Sequence, residues 1–422
     1  MVNHFNKSNS QKKIVVAMDS FKGSLTSLEA GNAVRDGILE RYPDVDVQIF
    51  PVADGGEGTV EALTFGKEHV QTRTIPVTGP VGTEVSARYT IYEQAGEKTA
   101  VLEMAQAAGL PLVPEERRNP MHTTTYGVGE MIRDAITCGC QKFILGIGGS
   151  ATNDAGIGML QALGFHFIDE AGREVGYGAE GLAQVRSITT EKVMPELASC
   201  TFQIACDVTN PLVGAQGCSA VFAPQKGADA KMVQAMDVAM NRYADIVENT
   251  YRKNPALMEN QLTGYDEADR NVEKNDRQSY DKNRMTPGAG AAGGLGYACL
   301  MFLHAALKPG IDIVLDEIQI AQAIQTADAV ITGEGRFDAQ TLMGKTPIGV
   351  ARIAKSYEVP VYAFAGCFGA DVQVCIDSGV FAGCYAASAA STEEEKRLAM
   401  EKRHAYANLK ACVKSHFCTE NN

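Results

Sequence analysis

Four times along this chain a short apolar run gives way to a glycine-rich turn and then to a helical spacing of apolar residues, and this repeated passage most restricts the fold. The turns are Asp19-Ser20-Phe21-Lys22-Gly23-Ser24, Ala53-Asp54-Gly55-Gly56-Glu57-Gly58-Thr59, and the segments 146–158 and 333–346. Strand, turn and helix in alternation imply a parallel sheet with helices on both faces. In the N-terminal stretch, strands over 14–18 and 45–52 alternate with helices over 25–42 and 60–65, with Ser24 or Thr26 as the first cap. Toward the C-terminus, strands over 328–332, 359–365 and 381–387 alternate with helices over 344–356 and near 371–378.

The middle differs in kind. Runs at 72–77, 85–92 and 99–104 lie close together with Gly and Pro turns between them, which predicts antiparallel pairing. The expected fold is therefore α/β with two domains. Residues 1–75 and 316–422 form a discontinuous Rossmann/flavodoxin-like parallel-sheet domain, and a mixed α/β domain, 76–315, is inserted in it. Within the insert, 251–285 is dense in Asn, Asp, Glu, Lys and Arg without apolar periodicity and reads as a polar surface loop. The uncharged stretch 288–307 is half Gly and Ala at its start, so it reads as a loop feeding a buried helix rather than a membrane span.

Composition narrows the chemistry. With 38 Lys+Arg against 51 Asp+Glu, the net charge of −13 argues against a nucleic-acid partner, so an anion must be met locally by backbone amides and a few cations. Glycine is plentiful at 42 of 422 residues, against roughly 7% in an average protein. The eleven cysteines include no Cys-x-x-Cys pair and read as reduced, buried small hydrophobes. With a polar N-terminus lacking a signal-peptide run, the expected compartment is the cytoplasm.

In Gly146-Ile147-Gly148-Gly149-Ser150-Ala151-Thr152-Asn153-Asp154-Ala155-Gly156, successive glycines let N–H groups converge on an anion, and the helix that follows adds its positive end. The dinucleotide fingerprint fails because position 151 is alanine, and Gly344-Lys345-Thr346 is not a P-loop because Ala339 stands where the first glycine is required. Asp54, Glu57, Asp154, Glu334 and Asp338 sit beside glycines, where carboxylates would repel a bare phosphate. A hydrated magnesium ion resolves that conflict, so these acids jointly point to a metal–nucleotide complex. Phosphoryl transfer also needs cations, for which Lys22, Lys345, Arg336 and Lys226 are the candidates. Among the histidines only His122, ahead of three threonines, merits attention.

Six segments in order carry a resemblance. They are Asp19 to Leu25, Ala53 to Thr59, Gly146 to Gly156, Asp207-Val208-Thr209-Asn210-Pro211-Leu212, Pro287 to Leu295, and Gly333-Glu334-Gly335-Arg336-Phe337-Asp338. Together they resemble the type I glycerate kinase family across nearly the whole chain. The resemblance implies ATP- and magnesium-dependent transfer of the γ-phosphoryl group to a hydroxyl of D-glycerate, without nucleic acid or membrane partners and with a homo-oligomer allowed.

On that reading Arg336 or Lys22 clamps the glycerate carboxylate beside Asp19 and Ser20. The ATP phosphates lie on Gly148, Gly149, Ser150 and Thr152. The loop carrying Gly288, Gly290, Gly293 and Gly294 closes over them or lets backbone approach the substrate. Asp54, Glu57, Glu334 and Asp338 serve the metal. Lys22 and Arg336 act as catalytic cations, and Asp154, with Asp207 second, accepts the hydroxyl proton. Two rivals share the scaffold: a kinase of another small hydroxy acid or sugar acid, and a non-catalytic metabolite sensor.

Overall fold

The computed structural model describes residues 12–56, 58–253, 284–388 and 398–417. Glu57, Cys418 and most of the expected polar loop at 251–285 lie outside the described residues. The chain divides into two compact units, Met1–Gly66 with Pro309–Asn422, and Lys67–Lys308. The first unit begins with β1 (Lys13–Met18) and β2 (Asp46–Ile49). The second holds β3 (Glu68–Thr78), β4 (Glu84–Gln94), β5 (Glu97–Glu103), β6 (Lys142–Gly146), β7 (His166–Ile168), β8 (Ser187–Thr189), β9 (Thr201–Ala205) and β10 (Ala306–Lys308). The chain then returns to the first with β11 (Ala329–Phe337), β12 (Val361–Phe368) and β13 (Gly383–Ala386). A boundary at residue 76 would cut β3, and one at 316 would cut the helix Gly310–Glu317.

In the first unit the strands lie in the order β13-β12-β11-β1-β2, every pair parallel. Counted within the unit this is 2-1-3-4-5, the flavodoxin-like winding, whose ligands sit beyond the carboxyl ends of the strands where the order reverses, here between β1 and β11. Ile14, Val15, Val16, Ala17 and Met18 are all fully buried, as expected for a central strand covered on both faces. The helix Ser27–Leu39 starts at Thr26, whose hydroxyl accepts from the Glu29 amide while Glu29 accepts from the Thr26 amide. Its buried Ala30, Ala33, Val34, Gly37 and Ile38 follow helical spacing onto the sheet.

The second unit carries a six-stranded sheet in the order β10-β9-β6-β5-β4-β3. β5, β6, β9 and β10 are parallel neighbours, and β3, β4 and β5 pair antiparallel as the turn pattern predicts. Its core is built on Phe143, Leu145, Phe202 and Ile204 of the central strands, with the Phe143 and Phe202 rings stacked 4.7 Å apart. The helix Ala291–Phe302 is buried in this core, and among the described residues no helix is long and apolar enough to cross a membrane. The helix Ala230–Lys253 takes in Tyr251 to Lys253, so the chain is still regular where the polar loop was expected to begin.

Candidate functional site

The carboxyl end of β1 delivers Asp19 to the reversal point of the first unit's sheet, where its amide bonds to the Gly333 carbonyl of β11 at 2.9 Å. The side chain is 7% exposed. Its Oδ2 accepts from the Thr346 hydroxyl at 2.7 Å and its Oδ1 from the Ser20 amide at 2.6 Å. Burial pushes the Asp19 carboxyl up to about 7; the Thr346 bond opposes this, the negative Asp54 adds to it, the Ser20 amide opposes, and Glu334 adds a further rise.

Asp19 lies in the wall of a cavity of about 580 Å³, within the usual size of small-molecule sites. Lys22, Asp54, Glu334, Arg336 and Lys345 line the same space. Glu334 is 8% exposed and held by Thr341, whose hydroxyl donates at 2.7 Å, and by Lys345 at 3.4 Å; burial nonetheless lifts its carboxyl above the usual range. Arg336 keeps 66% of its side chain exposed, with Nε 3.4 Å from Asp338 Oδ2. Lys22 is exposed in the turn after β1. The Ser20 and Ser24 hydroxyl oxygens are buried in this wall without a hydrogen-bond partner among the described residues.

Of the four carboxylates expected to hold a metal, the three described ones do not form a cage. Asp338 caps the short turn Ala339–Leu342, accepting from the Gln340 amide at 3.1 Å, and it is not among the cavity-lining residues. Glu334 is already engaged by a hydroxyl and an ammonium. Glu57 lies outside the described residues. Asp54 does face the cavity, with its Oδ1 accepting from the Gly56 amide at 3.2 Å. Among the described residues no three His, Cys, Asp or Glu side chains converge as a metal site would require. Ligation in which phosphate oxygens and water take most positions, with Asp54 the one described carboxylate of the set that faces the cavity uncommitted to a cation, is what this donor set fits.

In the second unit, β6 runs from Gly146 into Gly148-Gly149-Ser150. None of the hydrogen bonds among the described residues uses the amides of these three. Gly148 and Gly149 are exposed, and Gly149 has φ 74°, the left-handed conformation that turns successive N–H groups to one side. The Ser150 hydroxyl is committed inward, accepting from Lys226 Nζ at 2.7 Å, and the same ammonium donates to the Thr152 carbonyl at 2.6 Å. Lys226 is 2% exposed. Burial lowers its ammonium to about 8, while Cys218 and Asp154 act in the opposite direction. Lys226 therefore fastens the turn from within.

Three expectations for this unit need correction. Asp154 is fully buried, its Oδ2 accepting from the Thr125 amide and hydroxyl and the Gly158 amide and its Oδ1 from the Gly156 amide, so it braces the turn and its burial closes it off from a ligand. Burial raises its carboxyl despite these donors. Thr152 is likewise fully buried, which removes it from the phosphate contacts. Gly288, Gly290, Gly293 and Gly294 are buried too: a Cβ at Gly290 would collide with the Pro211 carbonyl, and one at Gly293 with that of Thr152. They are glycines because two turns pack backbone to backbone, and the Gly290 and Gly294 amides are bonded to the Asn210 and Gly290 carbonyls. Asp207 is exposed just past the carboxyl end of β9.

The sequence reading missed several partners. Thr346 and Thr341 position Asp19 and Glu334, and the only local sign was the Gly344-Lys345-Thr346 triplet set aside as a failed P-loop. Of the run 122–125 it is Thr125 that matters, through Asp154, whereas His122 is exposed and pairs with Glu180 at 3.2 Å. The cysteines among the described residues are all free; Cys367 is exposed in the cavity wall rather than buried.

An acid-and-cation cavity at the reversal point of a parallel sheet, and a glycine turn whose amides bond nothing among the described residues, are the equipment of an α/β enzyme of the anion-handling class. The chain belongs to the glycerate kinase family: the model of that family matches residues 14–417. It is 45% identical to a glycerate kinase of Haemophilus influenzae, covering 87% of this chain and 89% of that one. It is 43% identical to the glycerate 2-kinase of Escherichia coli, with 87% and 88% covered. The crystal structure of a candidate glycerate kinase 2 from Salmonella typhimurium LT2 superposes with a TM-score of 0.77 at 39% identity, covering 97% of this chain and 100% of that one.

Proposed function

We propose that the chain transfers the γ-phosphoryl group of ATP to a hydroxyl of D-glycerate. The observation that carries this reading is the cavity beyond β1 and β11, where Lys22 and Arg336 stand with Asp19 around space for a small carboxylate. A guanidinium fork and an ammonium suit that carboxylate. The free amides of Gly148, Gly149 and Ser150 take the phosphates of ATP without adding net positive charge to an acidic protein. A magnesium ion brought with the nucleotide would be met by Asp54, the side chain suited to a water-mediated contact, and would supply charge neutralisation for the transferred group. The likeness to the E. coli glycerate 2-kinase favours the 2-hydroxyl as acceptor. A cytoplasmic location fits the free cysteines.

The test is to incubate the purified chain with ATP, magnesium and D-glycerate and read the product by phosphorus NMR against 2- and 3-phosphoglycerate. A panel of hydroxy and sugar acids assayed for ADP release addresses the wider acceptor reading, which the 580 Å³ cavity favours because it has room for more than a three-carbon acid. Binding of ATP and glycerate without any ADP release would make the chain a sensor.

A further inference from the structure

Transfer to an alcohol requires a group that accepts the hydroxyl proton, and the burial of Asp154 under four donors leaves that role unfilled. Asp207 is exposed, so water competes for its carboxylate. Asp19 differs from both. It stands in the cavity wall at the reversal point of the sheet, nearly buried, with each oxygen held by one donor. A carboxylate oxygen accepts about two hydrogen bonds, so each keeps acceptor capacity.

Resting on the glycerate kinase reading, we infer that Asp19 is the proton acceptor of the reaction and that Thr346 is its positioning residue. The acceptor hydroxyl of glycerate gives its proton to Asp19 as its oxygen bonds to the γ-phosphorus. The bond from that phosphorus to the β–γ bridging oxygen breaks, ADP leaves with the electron pair, and Asp19 later releases the proton to solvent. The unpartnered hydroxyls of Ser20 and Ser24 supply hydrogen bonds for a polyhydroxylated acid in the same wall. They are two polar groups that nothing else among the described residues satisfies, and a buried hydroxyl left so is costly.

The charges around Asp19 come from several elements. Asp54 follows β2, Glu334 and Arg336 belong to β11, Lys345 caps the helix Thr346–Ser356, and Lys22 lies in the turn of Asp19 itself. Asp54 and Glu334 disfavour the ionised form of Asp19, while Thr346 and the Ser20 amide favour it. The balance brings the carboxyl up to about 7, where a base works near neutral pH.

The experiment uses the full chain, ATP, magnesium and D-glycerate. Wild-type kcat is expected to rise with pH through an ionisation near 7. Asp19→Asn is expected to lower kcat by about 100- to 10,000-fold, to flatten that rise, and to leave the ATP Kd from calorimetry unchanged. Thr346→Val removes a bond that favours the ionised carboxylate, so the rise should move to higher pH while the enzyme stays active. A folded Asp19→Asn chain that keeps more than a tenth of wild-type kcat, or keeps the same rise with pH, overturns the inference. Should Asp19→Asn fail to fold, an unmoved profile in Thr346→Val overturns it instead. A wild-type chain that makes no phosphoglycerate defeats the kinase reading, which is a separate result.

Discussion

The Lys226 ammonium lies 2.7 Å from the Ser150 hydroxyl and 2.6 Å from the Thr152 carbonyl oxygen, in the interior beside the turn whose Gly148, Gly149 and Ser150 amides enter no hydrogen bond among the described residues. A cation at a glycine-rich turn is usually taken for a phosphate ligand; here it holds the turn in shape. Lys226→Met leaves both oxygens buried and unpartnered, a loss of about 1–3 kcal/mol in stability. The expected kinetic sign is a KM for ATP raised about tenfold, equivalent to about 1.4 kcal/mol, with the KM for glycerate unchanged. Urea denaturation and steady-state kinetics with each substrate varied in turn measure the two effects.

Asp154 gives the complementary prediction. Asp154→Asn sets an amide NH2 against donors at Thr125, Gly156 or Gly158, whichever way it is turned. The cost is about 1–3 kcal/mol, read by urea denaturation. The pH at which kcat rises should stay where it is in the wild type, because Asp154 faces no substrate.

Asp19 links the site to stability. Its carboxyl is held at about 7 in the folded chain against an ordinary 3.8, so between these values the folded chain keeps a proton that the unfolded chain has lost. Stability therefore falls as pH rises from about 4 to about 7 and stays lowered above that. Asp19→Asn removes this cost and should be more stable than wild type by about 1–3 kcal/mol at pH 8, allowing for solvent at the cavity mouth, with a smaller gain at pH 4. Thermal melts of both proteins at the two pH values check the sign.

Arg336 is exposed and bound only loosely to Asp338, so its removal should cost little stability. Arg336→Ala is expected to raise the KM for glycerate by about 10- to 100-fold, the loss of a charge-assisted pair, and to leave the KM for ATP in place. Arg336→Lys should recover only part of it, because an ammonium lacks the planar fork.

Gly293 has φ 67°, and a Cβ there would run into the Thr152 carbonyl that Lys226 holds. Gly293→Ala should lose about 3 kcal/mol or more through overpacking and backbone strain. Because the displaced carbonyl belongs to the fastened turn, the surviving folded enzyme should also show a raised KM for ATP.

The parallel sheet of the first unit was legible because its signals are local. Five consecutive buried apolar residues at 14–18 can be covered on both faces only in such a sheet, and the Thr26–Glu29 capping pair marks where the next helix begins. The Gly148-Gly149-Ser150 turn was legible for the same reason, since backbone freedom at a strand end is written in the glycines themselves.

What each polar residue does was decided only by tertiary contact. Asp19 and Thr346 are 327 positions apart, and Lys226 and Ser150 are 76 apart, so no spacing in the chain announces either pair. Asp19 and Asp154 are both aspartates near glycines, yet one stands in a cavity wall and the other is fully buried, bonded to Thr125, Gly156 and Gly158. The glycines divide likewise into a turn with free amides and a loop buried against other backbone. By itself the sequence determined the parallel sheet of the first unit, the antiparallel run of β3 to β5 and the family, whereas the parallel half of the second sheet came from the tertiary structure. Burial and long-range hydrogen bonding decided which of the glycine turns are open and which are closed against the core, because the protonation and reach of a side chain depend on its neighbours in space and not on its neighbours in the chain.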